Sequence, residues 1–311
     1  MDFLTIYRKL DPHRRQDVFL AWAFCKPLIP NYLLILLLLV SLQYGVVQPL
    51  IGDPSQKGYR EGVGAGALFD NIRGVAPLED RYIIADSNNH CLRSVFYETE
   101  GTTTFAGLCG NHGKDDGPLE TARFFWPKGI SSDLKDLNFL YLCSSDIREI
   151  DLTQSTVITL ITPSVGSFTG GILWRMNRLL VAVRHGLQEY DLEEKQFKWL
   201  LGDTGIGEAC NNCSADSAYF YEPTAIHFIS STIIILTNSL NSKLRVFDID
   251  LGMVSAIGGM MGHVDGYFTD VQLTCPQSLY IDHQYIYISE DKTVRKLEYS
   301  GKIATLNHLL L

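Results

Sequence analysis

Basic residues are scarce in this chain. It carries 26 lysines and arginines against 35 aspartates and glutamates, a formal net charge of −9, and beyond the first 27 residues the balance is 21 against 32. Neutralising a nucleic-acid backbone needs a basic face, so no nucleic-acid partner is expected. Sets of metal ligands are missing as well. Cys210-Asn-Asn-Cys213 has no second Cys-x-x-Cys and no His-x-x-x-His to complete a zinc site, and no βαβ pattern surrounds it as in a redox dithiol. His90, His185, His227, His263 and His283 fall at different places relative to their neighbours, which argues against a ring of equivalent imidazoles.

What the chain does have is a recurring string. Ala122-Arg-Phe-Phe-Trp-Pro-Lys-Gly-Ile130 returns in degraded form as Ala67 to Val75, Ala218 to Ile226 and Val271 to Leu279. The spacings are 55, 96 and 53 residues, so one copy is missing between the second and third. After each copy come a β-branched or aromatic run, a polar turn, a second run ending in charge, and a third ending near glycine. In the first unit these are Arg81 to Ala85, the turn Asp86-Ser-Asn-Asn-His90, Cys91 to Phe96, and Thr102 to Ala106 before Gly107. Four short strands per period of about 40 to 50 residues is the pattern of a β-propeller blade, a sheet that buries its faces only by stacking on neighbours. A β-sandwich has regular strands but no recurring cassette. The expected fold is all-β, a propeller of five recognisable four-stranded blades: five-bladed, or a six-bladed type with an incomplete blade to which Val46 to Gly52 contributes a strand.

Asp86-Ser-Asn-Asn-His-Cys-Leu-Arg93, Phe105-Ala-Gly107, Asp116-Gly117 and the Ala122 to Ile130 string resemble the NHL repeat family of β-propellers. The resemblance runs over roughly residues 59 to 306 and is poorest in the third unit. It implies a propeller domain over 51–311. The recurring residues are read as scaffold: Phe69, Phe124 and Phe220 packing between blades, and Gly107, Gly202 and Gly259 opening the crossover to the next blade.

The N-terminus stands apart. Residues 1–27 carry five basic and three acidic residues, and the uncharged run 28–50 is long enough for one transmembrane helix, which takes about 20 residues. The basic flank favours a cytoplasmic N-terminus, hence a type II signal-anchor touching the lipid bilayer through 28–50, with the propeller extracellular or lumenal. A cleaved signal peptide is the competing reading, but its basic region would be long and no Ala-x-Ala-like site follows. Six of the seven cysteines lie beyond the run, which fits an oxidising compartment. Cys91 with Cys109 and Cys210 with Cys213 are the disulfide candidates, Cys143 and Cys275 are left over, and Asn212-Cys-Ser214 is a glycosylation sequon.

Two functions compete. One is a binding platform for protein or glycan, using the long loops Leu108 to Glu120 and Asp203 to Ser217 and needing no cofactor. The other follows from the resemblance, since related propellers include lyases and lactonases with a metal in the central channel. Positions equivalent to such a site are Asp86, Ser144, Arg184, Asn238 and Glu290. Asp86, Asn238 and Glu290 offer oxygen ligands for Ca2+, with Zn2+ the alternative metal. Arg184 in the ring weighs against a cation, and catalysis is the less favoured reading.

Overall fold

The computed structural model describes residues 19–21, 38–41, 46–49, 51–53, 55–133, 138–162, 168–202, 212–258, 260–262, 264, 271–281, 285–290 and 294–298. The expected propeller-like architecture is present. Four complete antiparallel sheets follow one another along the chain, each a meander, and the first, second and fourth start at a cassette. The first blade is Ile72–Pro77, Arg81–Asp86, Cys91–Phe96 and Gly101–Ala106. The second is Ile130–Ser132, Phe139–Cys143, Ile147–Asp151 and Thr156–Ile161. Phe168–Arg175, Arg178–Val183, Gly186–Asp191 and Gln196–Gly202 make the third, and Ile226–Phe228, Ile233–Asn238, Lys243–Asp248 and Met253–Ile257 the fourth. A fifth sheet holds Ser278–Ile281, Tyr285–Ser289 and Val294–Glu298, and a fourth strand for this expected fifth blade would fall among residues 299–311, outside the described residues.

Blades one, two and four have a fifth, two-residue strand on the outer edge. It is the dipeptide that precedes the cassette: Gly62–Val63, Gly117–Pro118 and Cys213–Ser214 pair with the fourth strands of their own blades. The residue just before each dipeptide fastens that edge. The Glu61 carboxylate accepts from the Thr104 N–H at 2.9 Å, Asp116 from the Thr159 hydroxyl at 2.8 Å, and Asn212 from the Ser255 hydroxyl at 2.7 Å.

The core is a series of layers between blades. Phe124 sits fully buried among Ile83, Leu92 and Ala106 of blade one and Leu140, Ile150 and Val157 of blade two. Phe220 fills the same place between blades three and four, and Phe69 packs with Ile51 against Tyr82, Ile84 and Val95. The expectation of packing between blades is met for Phe124 and Phe220, where the cassette is the wedge that seats one blade on the next, whereas the neighbours of Phe69 belong to blade one and Ile51. Around the axis the inner strands come too close for side chains, so that a Cβ on Gly74 would lie 2.1 Å from the Lys128 carbonyl oxygen. Gly107 and Gly202 have positive φ after their fourth strands, as expected. In blade four that conformation belongs to Gly258, and Gly259 lies outside the described residues.

The N-terminal expectation meets a different arrangement. Phe19–Ala21, Leu38–Ser41 and Val46–Pro49 form a three-stranded sheet, and Phe19–Ala21 lies against Ser278–Ile281 of the fifth sheet. The described residues of the run 28–50 are thus strands, paired from Leu38 opposite Pro49 to Ser41 opposite Val46, and the rest of the run lies outside the described residues. Among the described residues no helix is long and apolar enough to cross a membrane.

Candidate functional site

One face of the propeller carries the turns between second and third strands, the cassettes, and the connections from one blade to the next. Its construction repeats from blade to blade. Asp86, Asn238 and Glu290, the three oxygen-ligand candidates, end their second strands or directly follow them, and all are buried. They do not face one another. Each reaches back to its own cassette and accepts the backbone N–H of the fourth cassette residue: Asp86 from Asp70 at 2.9 Å, Asn238 from Tyr221 at 2.8 Å, Glu290 from Thr274 at 2.8 Å. Asp86 also accepts from Asn89 at 2.9 Å and from Arg93 at 3.3 Å. Burial pushes its carboxyl up to about 6 despite those donors. Of the remaining ring positions, the Ser144 hydroxyl donates to the Asp146 carbonyl, and the Arg184 carbonyl accepts from the Glu222 N–H. Among the described residues no three His, Cys, Asp or Glu side chains come together as metal ligands.

A second repeated device escaped the sequence reading. Arg93, Arg148 and Arg245 each occupy the third strand of a blade, buried over the cassette phenyl ring, with guanidinium carbons 5.2, 5.4 and 5.5 Å from the Phe69, Phe124 and Phe220 centroids. Arg93 and Arg148 donate to the carbonyls of the second cassette residues, Leu68 at 3.4 Å and Arg123 at 3.0 Å. Arg148 also pairs with Asp116 at 2.7 Å. Burial pulls the Arg245 guanidinium down to about 10. The signal was available as Leu92-Arg, Ile147-Arg and Leu244-Arg at matching strand positions.

Between the fourth and sixth cassette residues the chain turns sharply. The fifth residue has left-handed backbone in four copies: Asn71 (φ 60°), Trp126 (φ 50°), Glu222 (φ 50°) and Cys275 (φ 48°). The next two positions lead to the inner strands and bring Arg73 and Lys128 toward Glu222. Lys128 donates to the Phe168 carbonyl at 2.6 Å, and burial, aided by Arg73, lowers its ammonium below the usual lysine range against the pull of Cys143 and Glu222.

The Asp86 to His90 turn of blade one lies between two cassettes. Ser87 N–H donates to the Asn71 carbonyl, Asn88 N–H to the Asp70 carbonyl, and the Ser87 hydroxyl to the Pro127 carbonyl of the next blade at 2.7 Å. The His90 Nδ1 accepts the backbone N–H of Trp126 at 3.2 Å. His90, Phe125 and Trp126 stack, with His90 to Phe125 at 5.9 Å and 9° and Phe125 to Trp126 at 4.9 Å, while His112 meets His90 at 5.4 Å. Trp126 is 51% exposed. The plate is braced by the disulfide between Cys91, next to His90, and Cys109, in the 108–120 loop. This is the expected first pair. Cys213 is also disulfide-bonded, and Cys210 lies outside the described residues, as does most of the loop before blade four. Cys143 is a buried free thiol and Cys275 a half-buried one. Asn212 is exposed, at the edge-strand position described above.

No protein-family model matches the chain. A stretch of 78 residues, 25% of the chain, is 33% identical to NHL repeat-containing protein 2 of Homo sapiens, and 71 residues are 35% identical to the protein of that name in Gallus gallus. Each match spans 10% of the relative's length. Among solved structures, an auxiliary nutrient binding protein of Bacteroides thetaiotaomicron aligns with a TM-score of 0.64 at 15% identity, over 90% of this chain and 69% of that one. A chain of a nidogen/laminin complex aligns with a TM-score of 0.57 at 11% identity, over 88% and 89%. Together with the repeated blades, these similarities support an NHL-like propeller.

Proposed function

We propose that this propeller is a binding platform that recognises protein or glycan through its loop-bearing face, displayed outside the cytoplasm as a single-pass type II arrangement. The observation that carries the reading is the division of labour on that face. Conserving one backbone device from blade to blade, the caps and arginines are committed to seating blades, whereas the Trp126 plate is solvent-facing on a rigid, disulfide-braced support. Binding residues concentrate on such loops of a fixed scaffold. The Cys91–Cys109 bond supports an oxidising compartment, and the basic flank before the apolar run supports the orientation. The platform is favoured over a metal-dependent enzyme because the candidate oxygens of Asp86, Asn238 and Glu290 each cap a backbone N–H of their own cassette.

Protease treatment of intact and permeabilised membranes tests the placement. The propeller should resist digestion until the membrane is opened. Digestion from the cytosolic side overturns the topology, and a chain that captures neither protein nor glycan from the compartment in which it resides overturns the platform.

A further inference from the structure

Trp126 is explained by neither of the forces that fix the rest of the cassette. Burial does not account for it, since half of the indole faces solvent. Conformation does not account for it either. Left-handed backbone at φ 50° penalises any residue with a Cβ and favours glycine or asparagine. Blade one follows that preference with Asn71 at the same cassette position, whereas Trp126, Glu222 and Cys275 all go against it, so the turn belongs to the scaffold and only its occupant varies. A shared turn that, of four copies, presents a large aromatic ring to water only at Trp126 marks a place where the ring itself is used.

The polar groups carried by the same turn as His90 narrow the ligand. The turn that supports the plate also carries Asn88, whose amide joins a short polar row: Asn88 Nδ2 donates to Asp70 Oδ1 at 3.0 Å, and Asn71 Nδ2 donates to Asn88 Oδ1 at 3.2 Å. These groups are planar, at least partly exposed, and have lone pairs and N–H bonds to spare. His90, with Nδ1 accepting from Trp126, presents Nε2–H as a further donor. A flat aromatic surface and a row of amide and carboxylate groups, linked by the turn that carries both His90 and Asn88, match a pyranose, which has one face of C–H bonds and an edge of hydroxyls. A protein partner would need a wider apolar area than one indole and one phenyl ring, about 800 Å² per side with an apolar centre. The acidic chain, at −9, disfavours sulfated or otherwise anionic sugars.

We infer that Trp126, Phe125 and His90, with the Asp70–Asn88–Asn71 row, form a binding site for a neutral glycan. The inference rests on the platform reading and gives that platform its site and its ligand class. The indole stacks on the C–H face of one sugar ring, and the polar row takes its hydroxyls.

The test is an array of neutral oligosaccharides probed with the full-length chain and with Trp126→Asn and Asn88→Ala. The wild-type chain should retain at least one glycan, and titration with it should quench tryptophan emission. Trp126→Asn should weaken binding at least tenfold with its melting curve unchanged in shape, and Asn88→Ala should weaken it several-fold. Binding undiminished in Trp126→Asn overturns the site while leaving the platform intact. No bound glycan on the array, or capture of a protein partner in a Trp126-dependent way, overturns the ligand class. The platform itself fails only if neither kind of ligand is captured.

Discussion

Replacing Gly107 with alanine should damage the interface between blades one and two in a way that Phe124 controls. Gly107 follows the fourth strand of blade one with φ at +93°, and its N–H donates to the Leu119 carbonyl at 2.7 Å, so the backbone is held. An added Cβ would lie 2.8 Å from Phe124 Cδ2 and 3.0 Å from Cε2. Two costs result. The conformation costs about 1–2 kcal/mol for a residue with a Cβ. Overpacking against a fully buried ring adds roughly 1–3 kcal/mol. Phe124→Ala alone should cost about 3–5 kcal/mol, as for other buried phenylalanines. In that background the clash is gone, and Gly107→Ala should retain only its conformational cost of about 1–2 kcal/mol. The double mutant should therefore be less destabilised than the sum by roughly 1–3 kcal/mol. Urea unfolding of all four proteins at one pH, with slopes compared for two-state behaviour, measures this. Additivity within about 0.5 kcal/mol would refute the wedge geometry.

Other consequences are simpler to state. Serine at both Cys91 and Cys109, which lie 18 residues apart, should lower stability by about 3 kcal/mol on the chain-entropy account; a melt unchanged from the oxidised wild type counts against the bond. Asp86 has its carboxyl raised by burial to about 6, so its contribution to stability is full below the unfolded value near 4 and is lost as pH rises through 6, roughly 3 kcal/mol in all. Asp86→Asn, which copies Asn238 of blade four, should flatten that part of the urea-midpoint profile, and an identical profile would speak against the buried acid. His90 is held below the usual histidine value by burial and by His112, so its contribution is present above about 6.5 and is lost as pH falls through the folded value. The Trp126 amide, which His90 accepts, should lose hydrogen-exchange protection on acidification beyond the intrinsic change; constant protection down to pH 5 would sink the hydrogen bond.

Much of the scaffold could be read in advance because a blade imposes several signals at once. The expected runs Arg81 to Ala85, Cys91 to Phe96 and Thr102 to Ala106 all fall inside observed strands, since turn chemistry and strand propensity agreed there. The caps were harder, because Asp86 serves a backbone group 16 residues away and Asn238 one 17 away. Nothing local distinguishes such an oxygen from a ligand. Buried Arg93, Arg148 and Arg245 look like solvated charge until the phenyl rings beneath them are seen. The apolar run 28–50 shows a different difficulty. A short apolar strand and part of a membrane helix have the same hydropathy, which does not separate the two over Leu38–Ser41 and Val46–Pro49.

The left-handed cassette position separates scaffold from use, and Trp126→Asn makes the separation measurable. If Trp126 were a packing residue like Phe124 two positions earlier, its removal should cost about 3–5 kcal/mol. The structure argues for much less. Asparagine, already present at Asn71 with φ 60°, relieves most of a backbone cost of about 1–2 kcal/mol. Against that gain stand the lost ring contacts with Phe125 and His90, worth about 0.5–1.5 kcal/mol per aromatic pair, and little lost burial for a half-exposed side chain. The two terms nearly cancel, and urea unfolding should place Trp126→Asn within about 1 kcal/mol of wild type. A loss above about 2 kcal/mol would make Trp126 a structural residue and remove the reason for placing a ligand there. A near-neutral result with binding abolished would mean that the indole is kept at this position for the contact it makes and not for stability.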